Sequence, residues 1–379
     1  MHVVLVTTSY PESSSGSEAA GGFVADFAHQ LAEHAKVTVV AATAGPASVR
    51  TEGSLSVHRF SVKRWPLSLL RPHHPADWPS ILATLRDGMR TVADVASADR
   101  PDYILALWAL PSGYWAKAML KRFGVPYGVW ALGSDIWSLG RIPVLRSYLR
   151  KVLREADRCF ADGFELAEQV TKLSGAACDF LPSARLLPSS SGRELSEVPP
   201  WRLAFLGRWH PNKGVDIFLE SLRRLTAEDW KRVAEVRVYG GGPLDEEVRR
   251  QVAELQALGY PVNVGGYLDA GGAADLINWT DYLALPSRIE SIPVIFSDAA
   301  QLGRPLVATP VGDLPRLFDK QKFGILAGGA NVVAYTLALQ DALRSNPAQF
   351  QPGLSVLAGE FDITQVAARF MEDLYARHQ

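Results

Sequence analysis

Short apolar runs alternate with amphipathic stretches along almost the whole chain. Val3 to Val6 is an unbroken apolar run, and a buried strand through Thr7 follows from it. Phe23, Val24, Phe27, Ala28, Leu31 and Ala32 then recur at helical spacing, and Lys36 to Ala42 reads as the next strand. The alternation continues with a less regular strand pair over 51–60, a helix over 80–96 and a strand over 103–109. A helix over 112–121, a strand over 126–132, a helix over 146–154, a strand over 158–161 and a helix over 164–174 complete the first half. Strands that alternate with helices predict a parallel, doubly wound sheet.

Leu187 to Trp201 breaks the pattern: it is rich in Ser and Pro and has no apolar face, as expected of a linker. A second alternation follows, with strands over 202–206, 236–239, 262–264, 282–285 and 324–326. Its helices are expected over 217–225, 246–258, 273–279, 332–344 and 363–377. The predicted organisation is a Rossmann-like domain over 1–188, a linker over 189–201, a second Rossmann-like domain over 202–355, and a terminal segment over 356–379. No repeat of 20–50 residues is visible, which excludes a solenoid.

Composition narrows the function classes. The 379 residues are 47% hydrophobic and 21% charged, with a formal net charge of -1, so no global field favours nucleic acid. Cys159 and Cys178 lack metal-ligand spacing and read as packing residues of a reducing compartment. The first apolar run is too short for a signal peptide, and no run nears the ~20 residues that span a bilayer. A cytoplasmic chain is the expectation. Two stretches, 59–71 and 141–154, mix basic with apolar residues in a way that suits peripheral contact with an anionic membrane. A surface loop with a few buried leucines is the alternative reading of the first.

The chemistry concentrates after residue 200. Arg208 and Lys213 flank a strand-to-helix turn, beside Gly207 and Gly214. A diphosphate in such a turn meets a guanidinium, an ammonium and helix N–H groups together. Further on, PSRIESIPVIFSDAA carries Glu290 and Asp298 with seven residues between them. Ser291 is expected to cap the intervening helix and Pro293 to sit in its first turn. The backbone of Ser291, Ile292, Pro293 and Val294 then lines the helix mouth, where free N–H groups suit phosphate or sugar oxygens. Glu290 can accept from sugar hydroxyls and Asp298 from a ribose diol, although spacing alone would leave both as ordinary acids. Gly241 lies in a Gly-rich turn, Gly240 to Pro243, and Gly21-Gly22 open the first domain's first helix.

The pieces FLGRWHPNKGVD, VRVYGGGPL, ALPSRIESIPVIFSDAA and GRPLVATPVGDLP, in this order, resemble the donor domain of glycosyltransferase family 4. VTTSYPESSSGSEAAGGF, LWALPSGYWAKAM and ALGSDIWSL resemble the same family more faintly. The resemblance implies a GT-B fold, two Rossmann-like domains facing each other across a cleft, with the terminal helix packing back toward the first. It implies a retaining, metal-independent transfer of sugar from a nucleotide-sugar such as a UDP- or GDP-sugar to the hydroxyl of a glycan or lipid-linked acceptor. No cofactor beyond that co-substrate is implied. Arg208 and Lys213 would hold the diphosphate, Glu290 the transferred sugar and Asp298 the ribose. Gly21, Gly22 and Asp135 would line the cleft and acceptor side; a turn-capping role is the alternative for Asp135. Two departures stand out: Asp298 where the family usually has Glu, and Leu132 where it often has His. They keep open a degenerate member that binds a nucleotide-sugar or a partner, alongside a GT-B epimerase or phosphorylase.

Overall fold

The computed structural model describes residues 1–12, 21–65, 67, 70–187 and 193–378. The polar loop expected over 13–20, residues 188–192 of the expected linker, and residues 66, 68 and 69 of the first basic stretch lie outside the described residues. Two compact units divide the rest. One takes the described residues up to 182 and from 366 onward; the other takes 183–365.

The first unit holds eight strands: β1 (His2–Thr7), β2 (Lys36–Thr43), β3 (Ser48–Glu52), β4 (Leu55–Ser61), β5 (Tyr103–Leu107), β6 (Tyr127–Ala131), β7 (Arg158–Ala161) and β8 (Cys178–Phe180). Their order is β3-β4-β2-β1-β5-β6-β7-β8, and every neighbouring pair is parallel except the β3–β4 hairpin. The continuous apolar runs fall on the central strands: β1, β5 and β6 are buried along their whole length. Trp115 fills the space beside Gly88, where a Cβ would lie 2.3 Å from its ring. Strand β8, which periodicity did not pick out, is three residues long and partly exposed. It sets Cys178 in register with Cys159; both thiols are free, and burial pushes that of Cys159 up to about 12.

The terminal helix, Ile363–His378, joins the first unit from Val366 onward. Phe370 explains why: its ring packs edge-on against Phe27, Tyr103 and Phe160 at 5.6, 6.4 and 5.6 Å. Tyr375 donates to the carbonyl of His34 at 2.9 Å, and Asp373 pairs with Arg158.

The second unit holds six strands: β9 (Trp201–Arg208), β10 (Val233–Gly241), β11 (Val262–Gly265), β12 (Tyr282–Leu285), β13 (Leu306–Ala308) and β14 (Gly324–Leu326). The order is β11-β10-β9-β12-β13-β14, parallel throughout. Helices Leu314–Lys320 and Gln351–Glu360, not expected from the pattern, also belong to this unit. The carboxyl ends of β9, β10 and β12 carry Arg208, the triple glycine and the Pro286–Glu290 turn, so parallel pairing brings the sequence's candidate residues to one edge of the sheet. Among the described residues no helix is long and apolar enough to cross a membrane.

Candidate functional site

The site of the second unit is built from three turns. The first leaves β9 at Arg208. Its guanidinium is exposed and has no hydrogen-bond or ion-pair partner among the described residues. Trp209 is buried, and its backbone binds the second turn: its N–H donates to Gly241 O at 2.8 Å, and its carbonyl accepts from Leu244 N at 3.0 Å. The chain then makes one short turn of helix, Pro211–Lys213, which the His210 Nδ1 caps by accepting from Asn212 N at 3.1 Å. Gly214 follows in the left-handed region, φ +68°, and opens helix Val215–Arg223.

The triple glycine lets the second turn lie against the first. A Cβ on Gly240 would sit 1.9 Å from Gly207 O, and one on Gly242 would sit 2.7 Å from Trp209 O. Gly241 is buried, and its carbonyl also accepts from the Tyr267 hydroxyl at 2.7 Å.

The third turn leaves β12 at Pro286. Glu290 is mostly buried, and its Oε1 accepts from Lys213 Nζ at 2.5 Å and from Ser287 Oγ at 3.0 Å. Two candidates that stand 77 positions apart in the chain therefore meet. Arg288, which no pattern in the sequence singled out, also couples the first turn to the third. Its N–H donates to Asn212 O at 2.7 Å, its Nη1 to Pro211 O at 2.6 Å, and its two Nη groups grip Asp216 at 2.9 and 2.7 Å. Burial alone would push the Asp216 carboxyl up, but the Arg288 hydrogen bonds and charge, with backbone N–H groups, outweigh it and hold the group below its usual range. Arg288 lies two residues before Glu290 and Asp216 two after Gly214; an arginine and an acid so placed were the available signal.

Three expectations are revised. Ser291 does not cap the next helix: its hydroxyl is buried without a partner among the described residues, and its carbonyl accepts from Asp313 N at 3.3 Å. Pro293 is not in the first turn but is itself the N-cap, with ψ 136°; the helix runs Val294–Gln301, and Pro293 O accepts from Phe296 N at 2.9 Å. Ile292 is buried, and Val294 stands half-buried at the helix mouth. Asp298 was expected to reach out to a ribose. Instead it is fully buried, with both carboxylate oxygens on Arg185, Nε to Oδ1 at 3.3 Å and Nη2 to Oδ2. Its position on the helix points it toward the 183–187 segment, and nothing in the local sequence marks Arg185 as its partner.

In the first unit Asp135 is enclosed. It accepts from Ala109 N at 2.5 Å and Leu132 N at 3.3 Å, tying the turn after β5 to the turn after β6. Burial pushes its carboxyl up, and these backbone N–H bonds offset part of that. This is the turn-capping alternative. Gly21 precedes helix Gly22–Ala32 and lets it close on the chain after β1: a Cβ on Gly21 would lie 3.0 Å from Tyr10 N. In the basic stretches several cations work internally. Arg64 pairs with Asp77 at 2.5 Å, Arg59 donates to Pro11 O at 2.6 Å, and Arg150 and Arg154 donate to the carbonyls of Leu173 and Ser174 at 3.0 and 3.4 Å. Among the described residues no group of three or more His, Cys, Asp or Glu side chains is placed to share a metal ion.

Comparison with known proteins agrees with this layout. The family described as Glycosyl transferases group 1 matches residues 200–345, the span that holds all three turns. A D-inositol 3-phosphate glycosyltransferase of Saccharomonospora viridis is 27% identical over 357 residues, 85% of this chain and 81% of that one. A GDP-mannose-dependent alpha-(1-6)-phosphatidylinositol monomannoside mannosyltransferase of Mycolicibacterium smegmatis is 26% identical over 55% of this chain and 58% of its own length. Among solved structures, sucrose-phosphate synthase from Thermosynechococcus elongatus superposes with a TM-score of 0.76 at 17% identity, covering 100% of this chain and 98% of that one. Anabaena HepE in complex with UDP-glucose superposes with a TM-score of 0.71 at 15% identity, covering 99% and 100%. The family match thus assigns residues 200–345 to the group 1 glycosyl transferases, and the chain as a whole, with its two α/β units, has the GT-B fold and is similar to glycosyltransferases.

Proposed function

We propose that the chain is a retaining, family 4 type glycosyltransferase that takes its sugar from a UDP- or GDP-sugar without a metal ion and delivers it to a hydroxyl of a glycan or lipid-linked acceptor. The observation that carries this reading is the Lys213–Glu290 contact at 2.5 Å, made by the residue three positions before the Pro293 N-cap of helix Val294–Gln301. An ammonium, an acid and the N–H groups of a helix's first turn in one place suit a diphosphate joined to a sugar. With donor bound, Lys213 turns to the diphosphate together with Arg208, and Glu290 turns to the sugar hydroxyls. The anomeric carbon–oxygen bond to phosphate breaks, the bond to the acceptor oxygen forms on the same face, and the acceptor proton passes to the departing phosphate. Arg208, Lys213 and the helix N-terminus stabilise the charge that develops there, the task a metal ion would otherwise perform. The names of the Saccharomonospora and Mycolicibacterium relatives, an inositol phosphate and a phosphatidylinositol mannoside, favour a phosphorylated polyol or its lipid as acceptor class. For such an acceptor, the exposed Lys63, Arg71, Arg141, Arg146 and Lys151 would meet an anionic membrane face.

The test is nucleotide-sugar binding and turnover. UDP- and GDP-sugars are screened by thermal shift, then by hydrolysis and transfer, with Lys213→Ala and Glu290→Ala beside the wild type. Loss of binding in the first and loss of turnover with binding retained in the second is the expected pattern. Binding of a nucleotide-sugar with no turnover on any acceptor would instead support a binding module, the reading that Leu132 and the enclosed Asp135 favour.

A further inference from the structure

The second acid of the Glu290/Asp298 pair does something other than meet a ligand. Asp298 lies in the body of helix Val294–Gln301, has no exposed surface, and gives both carboxylate oxygens to Arg185. One helical turn on, the Gln301 side-chain amide donates to Arg185 O and to Phe361 O, both at 3.2 Å. The Phe361 ring packs edge-on against Phe296 of the same helix at 5.1 Å, and Phe323 does likewise at 5.1 Å. Residues 183–187 are where the chain enters the second unit, and Phe361 stands just before it leaves. The helix is thus fastened at its body to both ends of the unit's own chain, while no side chain among the described residues caps its N-terminus.

We infer that Asp298 is a positioning residue: with Arg185 it fixes the helix whose N-terminus meets the donor, and recognition of the ribose diol falls to other groups. Aspartate rather than glutamate fits this role, since the carboxylate is enclosed against a guanidinium and needs no reach. Removing Arg185 leaves the fully buried Asp298 carboxylate without its guanidinium, and removing the Asp298 charge releases the guanidinium's grip on the helix, so each single change loosens the helix. The inference rests on the donor-site reading above.

The experiment measures dissociation constants for UDP, GDP and their 2′,3′-dideoxy forms, on wild type, Asp298→Asn, Arg185→Gln and the double variant, with thermal unfolding of all four. A positioning pair predicts that both single variants weaken the bound nucleotide by the same factor. That factor is about 2- to 30-fold, the range over which a helix N-terminus favours an anion. The ratio of dideoxy to native affinity stays at the wild-type value, and the double variant is no worse than either single one. A ratio that collapses toward one in Asp298→Asn but not in Arg185→Gln overturns the inference and makes Asp298 a ribose ligand. Losses in melting temperature that add in the double variant overturn it as well. Wild-type protein that binds neither nucleotide refutes the donor reading itself, an outcome separate from both.

Discussion

Gly214 joins the Lys213 turn to the Glu290 turn by its lack of a side chain, and Gly214→Ala tests what that closeness is worth. Two costs follow from the geometry. Alanine at φ +68° takes a left-handed conformation that costs about 1–2 kcal/mol. Its Cβ would also lie 1.9 Å from Pro286 O, a backbone atom that cannot rotate aside, where ordinary contact begins near 3.4 Å. The two turns must therefore part by about 1.5 Å, which separates Lys213 from Glu290; a 1 Å misplacement costs up to roughly 100-fold in rate. Gly259→Ala is the control. Gly259 has φ +84°, and a Cβ there would meet nothing within 4 Å, so it carries the backbone cost alone. In a unit of this size about 1–2 kcal/mol lowers the melting temperature by roughly 2–8 °C. Thermal unfolding and nucleotide-sugar turnover are measured on both variants. Gly259→Ala should lose that stability and keep kcat/KM within about twofold, whereas Gly214→Ala should lose more and fall by about 100-fold in kcat/KM. Equal melting losses with kcat/KM preserved in Gly214→Ala would refute the claim that the two turns must touch.

Three further outcomes are expected. Arg288→Ala removes a partly exposed clamp worth about 1 kcal/mol, so the melting temperature should fall only about 2–4 °C while kcat/KM falls about tenfold; Arg288→Lys, which cannot fork, should recover little of it. Phe370→Ala should destabilise the first unit by about 3–5 kcal/mol, read by hydrogen exchange in β1 and β5, and leave nucleotide affinity in the second unit unchanged. Burial holds the His58 imidazole below its usual 6.5, so the folded state binds its proton less readily than the unfolded chain does. Its contribution is complete above pH 6.5 and is lost as pH falls from there through the lowered folded value. Melting temperatures between about pH 7.5 and 5.5 should decline more in wild type than in His58→Gln, and parallel curves would count against it.

The fold was readable because parallel strands covered on both faces leave continuous apolar runs, and these fall on β1, β5, β6 and β12. What escaped has the opposite character. Strand β8 is short and partly exposed, and helix Leu314–Lys320 spans seven residues, too few for a period to show. At the candidate site, residues with a charge beside a glycine turn were legible, and Arg208, Lys213 and Glu290 stand at the carboxyl edge of one sheet. Asp298 was legible as an acid at the right spacing but not in its orientation, because its partner Arg185 lies 113 positions away. Ser291 has the right residue type for a cap, yet Pro293, with its extended ψ, takes the N-cap position two residues later. A sequence motif reports which groups are available, and distant partners decide which way they face.

The return of the last helix to the first unit has a consequence for synthesis. Among the described residues the second unit falls between 183 and 365 in chain order, so it is complete once residue 365 has left the ribosome. The sheet that begins at His2 must wait for Phe370, which closes the aromatic cluster of Phe27, Tyr103 and Phe160. The half translated first is thus the half finished last. A released chain truncated after residue 365 would carry a finished second unit and a first unit with its aromatic floor still open to chaperones and proteases.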